Sequence, residues 1–405
     1  MIAQLGRRAL LRTGLAAAAG PALRGLAFAA PEGAPEGAPL LILVFLRGGM
    51  DGLNFLSPAD DAAFVAMRNA DLRVRAEGPA AGHRLDASPA ADFRLHREAA
   101  PLAAIWRERR MAIWPAAGLP EPTRSHFEAQ AMMAAGQGSR REARAQRGWL
   151  GAWAEALSAR LPPTPGPRTL AGQTLPPAEL RGAPHAVALG TLAGGLALPG
   201  GPTGTAMLAA LYATGTDPVS RAGREAITDM RFLDRALPRD AAGHIPPYAA
   251  ANGADYGGAG NFGQALATIA QVARLQPGLV AAAADLGGWD THEGQANRFT
   301  NQLRTLSRGL AALDRDLADL PRRWTMLVAS EFGRRLRSNA SGGTDHGRAG
   351  TILAFGRGGR LGGHFGAWPG LAPDQLEDGV DLRVAEDYRG VFRAVMADLA
   401  GSAVL

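Results

Sequence analysis

The chain has 405 residues, of which 47% are hydrophobic and 20% are charged, a composition typical of a globular protein rather than a disordered one. It contains no cysteine, which excludes thiol catalysis, thiolate metal sites and disulfide bonds. The net charge is +6 and all 43 basic residues are arginine, but no basic run is interleaved with aromatic residues, so we expect no nucleic-acid binding.

The first residues have the order of regions found in an export signal. The pair Arg7-Arg8 is followed by two leucines, an Ala/Leu/Gly stretch and the cleavage-site pattern Ala27-Phe28-Ala29. Paired arginines in this position resemble a twin-arginine signal, which exports folded proteins; an ordinary amphipathic helix is the alternative. We therefore predict a twin-arginine signal peptide at 1–29, a linker at 30–38, and a periplasmic or secreted protein without a stable membrane span after signal removal.

The remainder, 39–405, predicts a single α/β domain. Continuous apolar runs of strand length alternate with amphipathic helical patterns, and such runs fill the buried sheet of a doubly wound, mostly parallel fold with helices on both faces. The strand-like runs are 39–46, 279–286, 325–329 and 351–355, and the clearest helical patterns are 262–275 and 295–320.

Between residues 95 and 260 the alternation of apolar strand-like runs and helical patterns is less regular. Residues 95–107 predict a helix, and 111–114 a short strand that ends at Pro115. Residues 162–177 are rich in proline, 185–189 predict a strand and about 221–237 a helix, and the rest of the stretch to 260 has no clear periodicity. We interpret 162–260 as an inserted irregular lobe that shapes a substrate cleft or a partner surface.

Polar residues follow the predicted strands at several places. Because ligands bind at the carboxyl ends of the strands in open α/β sheets, we expect these polar residues to converge on one metal-assisted site. With cysteine absent, a metal there must be held by His, Asp, Glu, hydroxyl groups or water. The polar segments are 47–54, 124–128, 287–295 and 331–346.

The strongest metal signal is Asp290 followed by His292. Residues at i and i+2 point to the same side of an extended backbone, and Asp with His suits Zn, Mn or Fe. A structural polar pair is the alternative. Asp51 stands after the first strand, where a carboxylate can bind a metal, although Asp51-Gly52 is also an ordinary turn sequence.

Ser125 allows two interpretations. It lies three residues before Glu128, the spacing of a capping box. Its hydroxyl would also stand at a helix N-terminus, where backbone N–H groups suit an anion. The next residue, His126, could be a ligand, a hydrogen-bond donor or merely exposed. His364, in a Gly-rich loop, is a weaker candidate.

Together these motifs resemble the bacterial family called domain of unknown function 1501. The resemblance runs in order from the paired arginines to about Gly366. That family is in turn similar to the alkaline phosphatase and sulfatase superfamily, which implies a doubly wound α/β fold of the alkaline-phosphatase type. The motifs that carry the resemblance are 47–53, 124–130, 287–292, 330–334 and 343–347.

The resemblance also implies roles for individual residues. Ser125 matches the place of the nucleophile, and Arg47 or Arg334 would clamp the substrate oxyanions with a guanidinium fork. Phe332 stands where the superfamily has a ligand His, which would leave one strong metal site instead of two. The implied ligands of one or two divalent ions (Zn, Mn, Ca or Mg) are Asp51, Asp290, His292, Glu331 and His346.

Two functions follow as hypotheses. The first is an exported metal-dependent hydrolase of phosphate or sulfate esters, acting on a small anionic ester. A sulfatase that makes formylglycine from cysteine is excluded, since there is none. The alternative is a non-catalytic periplasmic binding protein that keeps the hydrolase fold and binds a co-exported protein.

Overall fold

The computed structural model describes residues 38–86, 91–142, 147–183, 185–196, 200–276 and 278–400. The predicted signal at 1–29 and all but the last residue of the predicted linker lie outside these residues. Among the described residues, no helix is long and apolar enough to cross a membrane.

The described residues form the following strands in chain order: β1 Leu40–Leu46, β2 Leu56–Pro58, β3 His83–Arg84, β4 Phe93–Leu95, β5 Met111–Gly118, β6 Thr169–Ala171, β7 Ala186–Ala188, β8 Ala281–Leu286, β9 Trp324–Ser330, β10 Arg334–Ser338, β11 Thr344–His346, β12 Gly350–Arg357, β13 Gly363–His364 and β14 Glu386–Asp387. The α-helices are α1 Gly52–Phe55, α2 Ala62–Met67, α3 Ala100–Arg107, α4 His126–Ala135, α5 Trp149–Ser158, α6 Gly201–Tyr212, α7 Pro218–Ala236, α8 Gly260–Leu275, α9 Gln295–Asp316 and α10 Tyr388–Ala400.

The central sheet is mostly parallel, as predicted. Its strand order is β13-β5-β12-β9-β1-β8-β6-β7, and β14 also pairs with β5. The central strand β1 pairs in parallel with both β8 and β9, whereas β12 is antiparallel to β9 and β5. Leu46 faces Leu286 on one side and Ser330 on the other, so β1, β8 and β9 end in one row.

Helices cover both faces of this sheet. Alternate residues of β1 point to opposite sides: Ile42 belongs to a core cluster that includes residues of α8 and α9, and Leu43 to a second cluster that includes residues of α5 and α10. Every residue of β1 is buried. Burial on both faces is why the strand sequence is continuously apolar instead of alternating.

Two predicted elements differ from the structure around β5. The strand continues through Pro115 to Gly118, because Pro115 lies opposite a register shift between Gly350 and Ile352 of β12. A bulge tolerates the missing N–H of proline. The predicted helix at 95–107 begins only at Ala100, since Leu95 ends strand β4.

The segment predicted as an inserted lobe, 162–260, contributes partly to the central sheet. Strands β6 and β7 extend the sheet beyond β8 in parallel register. The strand predicted at 185–189 is confirmed as β7, whereas β6 has only three residues, which is too short for a periodicity to be recognised. The part outside the sheet contains the helices α6 and α7, and no described residue of α6 is buried.

Candidate metal centre

The candidate site lies at the sheet edge where β1, β8 and β9 end. Each strand runs into a loop at the point where glycine or polar residues follow its last apolar residues. The start of α4 and the end of β11 reach the same edge. The side chains that these segments bring together are His126, Asp290, His292, Glu331, Arg334 and His346.

Two glycines after β1 allow the segments to approach closely. Gly48 has φ +119°, and a Cβ there would lie 2.6 Å from the backbone nitrogen of Asp290. Gly49 has φ +64°, and a Cβ there would lie 2.4 Å from the ring of Phe332. Both positions therefore require glycine, for backbone conformation and for space.

Three side chains could together hold a metal ion: His126, Asp290 and His346, whose ligand atoms all lie within 4.8 Å of one another. The Nε2 atom of His346 lies 3.0 Å from Oδ1 of Asp290. The Nε2 atom of His126 lies 3.4 Å from Oδ2 of the same carboxylate.

A third imidazole approaches the same carboxylate. Nε2 of His292 lies 3.0 Å from Oδ1 of Asp290 and 2.9 Å from Nε2 of His346. The predicted residues Asp290, His292 and His346 are thus in direct contact, and His126 joins them.

Each of the three histidines has an oxygen atom beside its other ring nitrogen. Nδ1 of His126 lies 2.8 Å from Oε1 of Glu331, and Nδ1 of His346 lies 2.8 Å from the backbone oxygen of Arg124. Nδ1 of His292 lies 3.4 Å from Oδ1 of Asp345. An oxygen acceptor at Nδ1 favours the tautomer that leaves Nε2 free to bind a metal, as is usual for metal-bound histidine.

Glu331, predicted as a ligand, lies behind His126. Its fully buried carboxylate also accepts hydrogen bonds from the Gln130 amide at 2.7 Å, the Gly48 N–H at 2.9 Å and the Ser330 hydroxyl at 3.0 Å. Burial alone would raise the pKa of Glu331, but the hydrogen bonds from His126 and Gln130 outweigh it, and the net pKa is lowered. Glu331 is therefore an anion that orients His126.

The charges at the centre suit metal ligands. Burial would raise the pKa of Asp290, but the close contact with His346 and the hydrogen bond from Arg334 hold it at about 2. Burial lowers the pKa of His346, which favours the neutral imidazole. The hydrogen bond to Glu331 raises the pKa of His126, so a proton competes with a cation at that ring.

Arg334, predicted to clamp a substrate oxyanion, is almost fully buried. Its guanidinium donates to Oδ1 of Asp290 at 2.7 Å and to four backbone oxygens. These bonds favour a role in positioning the Asp290 loop against the turn after β1. The four oxygens belong to Gly48, Gly49, Trp289 and Thr344.

Asp51, another predicted ligand, lies outside this group. Its buried carboxylate forms an ion pair with Arg68 and accepts a hydrogen bond from the Gln295 amide at 2.6 Å. It also caps α1 by accepting from the N–H of Asn54. These bonds give Asp51 a structural role in joining α1 to α9.

Ser125 directly precedes α4, as predicted, but its side chain makes no capping hydrogen bond. Thr123 donates to Glu128 instead, at 2.7 Å, so the expected capping box of Ser125 and Glu128 does not form.

Arg47, predicted to clamp a substrate oxyanion, donates to Glu179 at 2.9 Å and to Asp285 at 3.0 Å. It also lines a groove next to α4.

The sequence left the role of His126 open and identified Phe332 only as a residue in the place of a ligand His. For His126 the sequence allowed a ligand, a hydrogen-bond donor or an exposed residue. The signal for a place in the site was its position beside Ser125 at a predicted helix start. Phe332 packs against His126 and against His346, with ring centroids 4.9 Å apart in both cases. Phe332 therefore forms an apolar wall of the centre.

The donor set fits a first-row divalent cation. Nε2 of His126 is buried and has no hydrogen-bond partner among the described residues, although it faces Asp290. Imidazole nitrogens with one carboxylate suit Zn or Mn, whereas Ca and Mg prefer oxygen ligands. The residues present thus match the divalent metal expected from the sequence, with zinc and manganese favoured.

The fold and this centre define a mixed α/β protein with a His/Asp cluster at the carboxyl edge of its sheet. Residues 109–384 match the family described as "Protein of unknown function (DUF1501)". The chain belongs to that family. A search of curated proteins found no match.

Two solved structures are similar in outline. The first is the C-terminal periplasmic domain of EcEptC from Escherichia coli in complex with Zn, at 9% identity and a TM-score of 0.35, covering 82% of this chain and 77% of that one. The second is phosphonoacetate hydrolase from Sinorhizobium meliloti 1021 in complex with phosphonoformate, at 14% identity and a TM-score of 0.31, covering 79% of this chain and 63% of that one. TM-scores this low do not establish a common fold.

Proposed function

We propose that this protein is an exported, metal-dependent hydrolase of phosphate or sulfate esters, of the alkaline phosphatase and sulfatase type. The observation that carries the proposal is the orientation of the three imidazole rings of His126, His292 and His346. In each ring, Nδ1 faces an oxygen atom and Nε2 faces Asp290. A buried polar cluster serving structure alone has no need to leave Nε2 of His126 without a hydrogen-bond partner among the described residues.

His126, Asp290 and His346 would hold a divalent ion, with His292 as a further ligand. Such an ion supplies Lewis acidity, which stabilises charge on an ester oxygen and lowers the pKa of a bound nucleophile. Glu331 orients His126, and Arg334 fixes the loop that carries Asp290. Phe332 keeps water from one side of the imidazoles.

Ser125 is the proposed nucleophile or anion holder. Its hydroxyl is not used to cap α4, and it directly precedes His126, whose ring lies in the centre. At the start of a ten-residue helix it stands beside free N–H groups that suit an ester anion. Arg47 would approach the substrate from the neighbouring groove.

The test uses 4-nitrophenyl phosphate and 4-nitrophenyl sulfate as probes, with protein reloaded with zinc or manganese. We expect hydrolysis of at least one probe, and we expect Asp290→Ala and His346→Ala each to abolish hydrolysis and metal binding together. His244→Ala is the matched control, because His244 is 80% exposed and lies in the segment outside the sheet. Hydrolysis that survived both changes at the centre would contradict the proposal.

The second candidate, a non-catalytic binding protein in the periplasm, is favoured by Phe332. Its ring packs against two of the imidazoles where the superfamily has a second ligand. On this hypothesis the protein binds metal stoichiometrically, hydrolyses neither probe, and co-purifies with a partner protein from the periplasm.

Cell fractionation tests the proposed export. We expect the Arg7→Ala/Arg8→Ala variant to stay in the cytoplasm, whereas the unchanged protein reaches the periplasm.

A further inference from the structure

A groove of about 510 Å³ lies against α4, the helix whose first residue, His126, belongs to the candidate centre. One wall is a face of α4 with helical spacing, on which Phe127, Gln130, Ala131 and Ala134 lie; the other is the segment 173–181. Small-molecule sites typically have volumes of about 300–1,000 Å³. The groove is therefore large enough for a ligand of one or two rings.

Hydrogen bonds connect the groove to the centre. NH1 of Arg47 donates to Oε1 of Gln130 at 3.4 Å, and Nε2 of Gln130 donates to Oε1 of Glu331 at 2.7 Å. The same Glu331 oxygen accepts from Nδ1 of His126 at 2.8 Å. Gln130 thus connects the wall of the groove to Glu331 and, through it, to the ring of His126.

The groove exposes two large apolar side chains. Phe127 is 88% exposed and Leu175 is 75% exposed, and they belong to opposite walls. Exposed aromatic residues offer a ring face for stacking, and a ligand ring between these side chains would remove both from water.

The arginines that line the groove differ in whether a carboxylate pairs with them. Arg47 is paired with Glu179 and Asp285, and Arg147 with Glu155. Arg181 is exposed and makes no ion pair with any described residue. Among the described residues that line the groove, Arg181 therefore has the guanidinium that is open to an external anion.

We propose that the groove binds the alcohol part of the ester substrate, and that this part is an aromatic ring carrying a second anionic group. Phe127 and Leu175 flank the ring, and Arg181 pairs with the anionic group. This inference rests on the proposed ester hydrolysis, because it assigns the leaving-group side of that site.

The experiment measures binding, so that it does not depend on turnover. The fluorescent probe 6-hydroxy-2-naphthoate, an aromatic alcohol with a carboxylate, is titrated into the full-length protein in metal-loaded and metal-free form, and 2-naphthol serves as the uncharged comparison. We expect Phe127→Ala to weaken binding of both probes by about fivefold, the size of a lost aromatic contact. We expect Arg181→Gln to weaken the naphthoate by about fivefold and leave 2-naphthol unchanged.

Leu211→Ala is the matched control, because Leu211 is a similarly exposed apolar residue but lies on α6. We expect this variant to bind both probes as the wild type does. Naphthoate binding that responds to neither groove variant, or no binding of the naphthoate at all, would overturn the proposal even if ester hydrolysis is found. Binding that responds to both variants, without hydrolysis of any ester, would support the groove site and reject the hydrolase.

Discussion

Each histidine of the centre uses its two ring nitrogens differently. The Nδ1 atoms face Glu331, Asp345 or a backbone oxygen, and the Nε2 atoms face Asp290. In the proposed metal centre Glu331 would therefore orient His126 and Asp290 would be a ligand, although the two carboxylates were predicted to have the same role.

The first prediction separates these two roles. Glu331→Gln keeps the shape of the side chain but removes the charge that orients His126, so we expect metal affinity to fall by roughly 10- to 100-fold, as is typical of residues behind a ligand. Asp290→Asn should abolish binding. Competition with a chromophoric chelator measures both. Complete loss of the metal in Glu331→Gln would instead make Glu331 a ligand.

The second prediction concerns Asp51. Because it is paired with Arg68 in the core, Asp51→Ala leaves a buried guanidinium unpaired and should lower the free energy of unfolding by about 3–5 kcal/mol. Metal content at low temperature should stay near that of the wild type. Chemical denaturation and elemental analysis measure the two effects, and Asp51→Ala/Arg68→Met should recover part of the stability. Metal loss without destabilisation would restore the predicted ligand role.

The sequence predicted part of this centre for a clear physical reason. Asp290, His292 and His346 stand beside strand-like runs, and the ends of neighbouring parallel strands must share an edge. The position of a residue after a strand does not determine whether its side chain points toward the other polar residues. The sequence analysis therefore grouped Asp51 with the ligands. In the structure its carboxylate pairs with Arg68, seventeen residues further along the chain.

At the scale of elements, the turn after β1 decides whether the centre can form. Gly48 lies against the backbone of Asp290, and Gly49 lies against Phe332, which supports two of the imidazoles. The turn thus carries no ligand of the cluster, yet its glycines allow the surrounding elements to meet.

The third prediction tests this turn. Gly48→Ala should weaken metal binding, because the new methyl group would push against the Asp290 backbone. Gly363→Ala is a matched control: its φ of +117° nearly equals the +119° of Gly48, but among the described residues no non-neighbouring atom lies within 4 Å of the added Cβ. Both variants should lose about 1–3 kcal/mol from backbone strain, and only Gly48→Ala should lose metal affinity. Equal metal affinities in the two variants would contradict the argument.

Long strands and helices were predictable because burial imposes a pattern on them. β1, β8, β9, α8 and α9 all lie where continuous apolar runs or helical periodicity predicted them. Features fixed by partners distant in the sequence were not predictable. The continuation of β5 through Pro115 depends on a bulge involving β12, and β6 is a strand because β8 offers an edge to pair with.

At the scale of the whole molecule, the centre joins segments from distant parts of the chain: α4, the loop after β8, the end of β9 and β11. A ligand that binds only the folded state stabilises it by mass action. A metal held here therefore stabilises most of the fold.

The fourth prediction follows from that linkage. Metal at about 100 times its dissociation constant should raise the free energy of unfolding by about 2.7 kcal/mol, so a chelator should lower the melting temperature of the wild type. Asp290→Asn should melt at the same temperature with and without the chelator. Differential scanning calorimetry measures this, and an identical response of the two proteins would count against a metal at the centre.

The measurement that tests the central claim most directly is elemental analysis of the protein purified without added metal, beside Asp290→Asn and His126→Ala. We predict about one zinc, manganese or iron ion per chain in the wild type, and its loss in both variants. Absence of metal from the wild type after reloading with zinc and manganese, or equal metal in all three proteins, would contradict the claim and leave the cluster as a structural polar network.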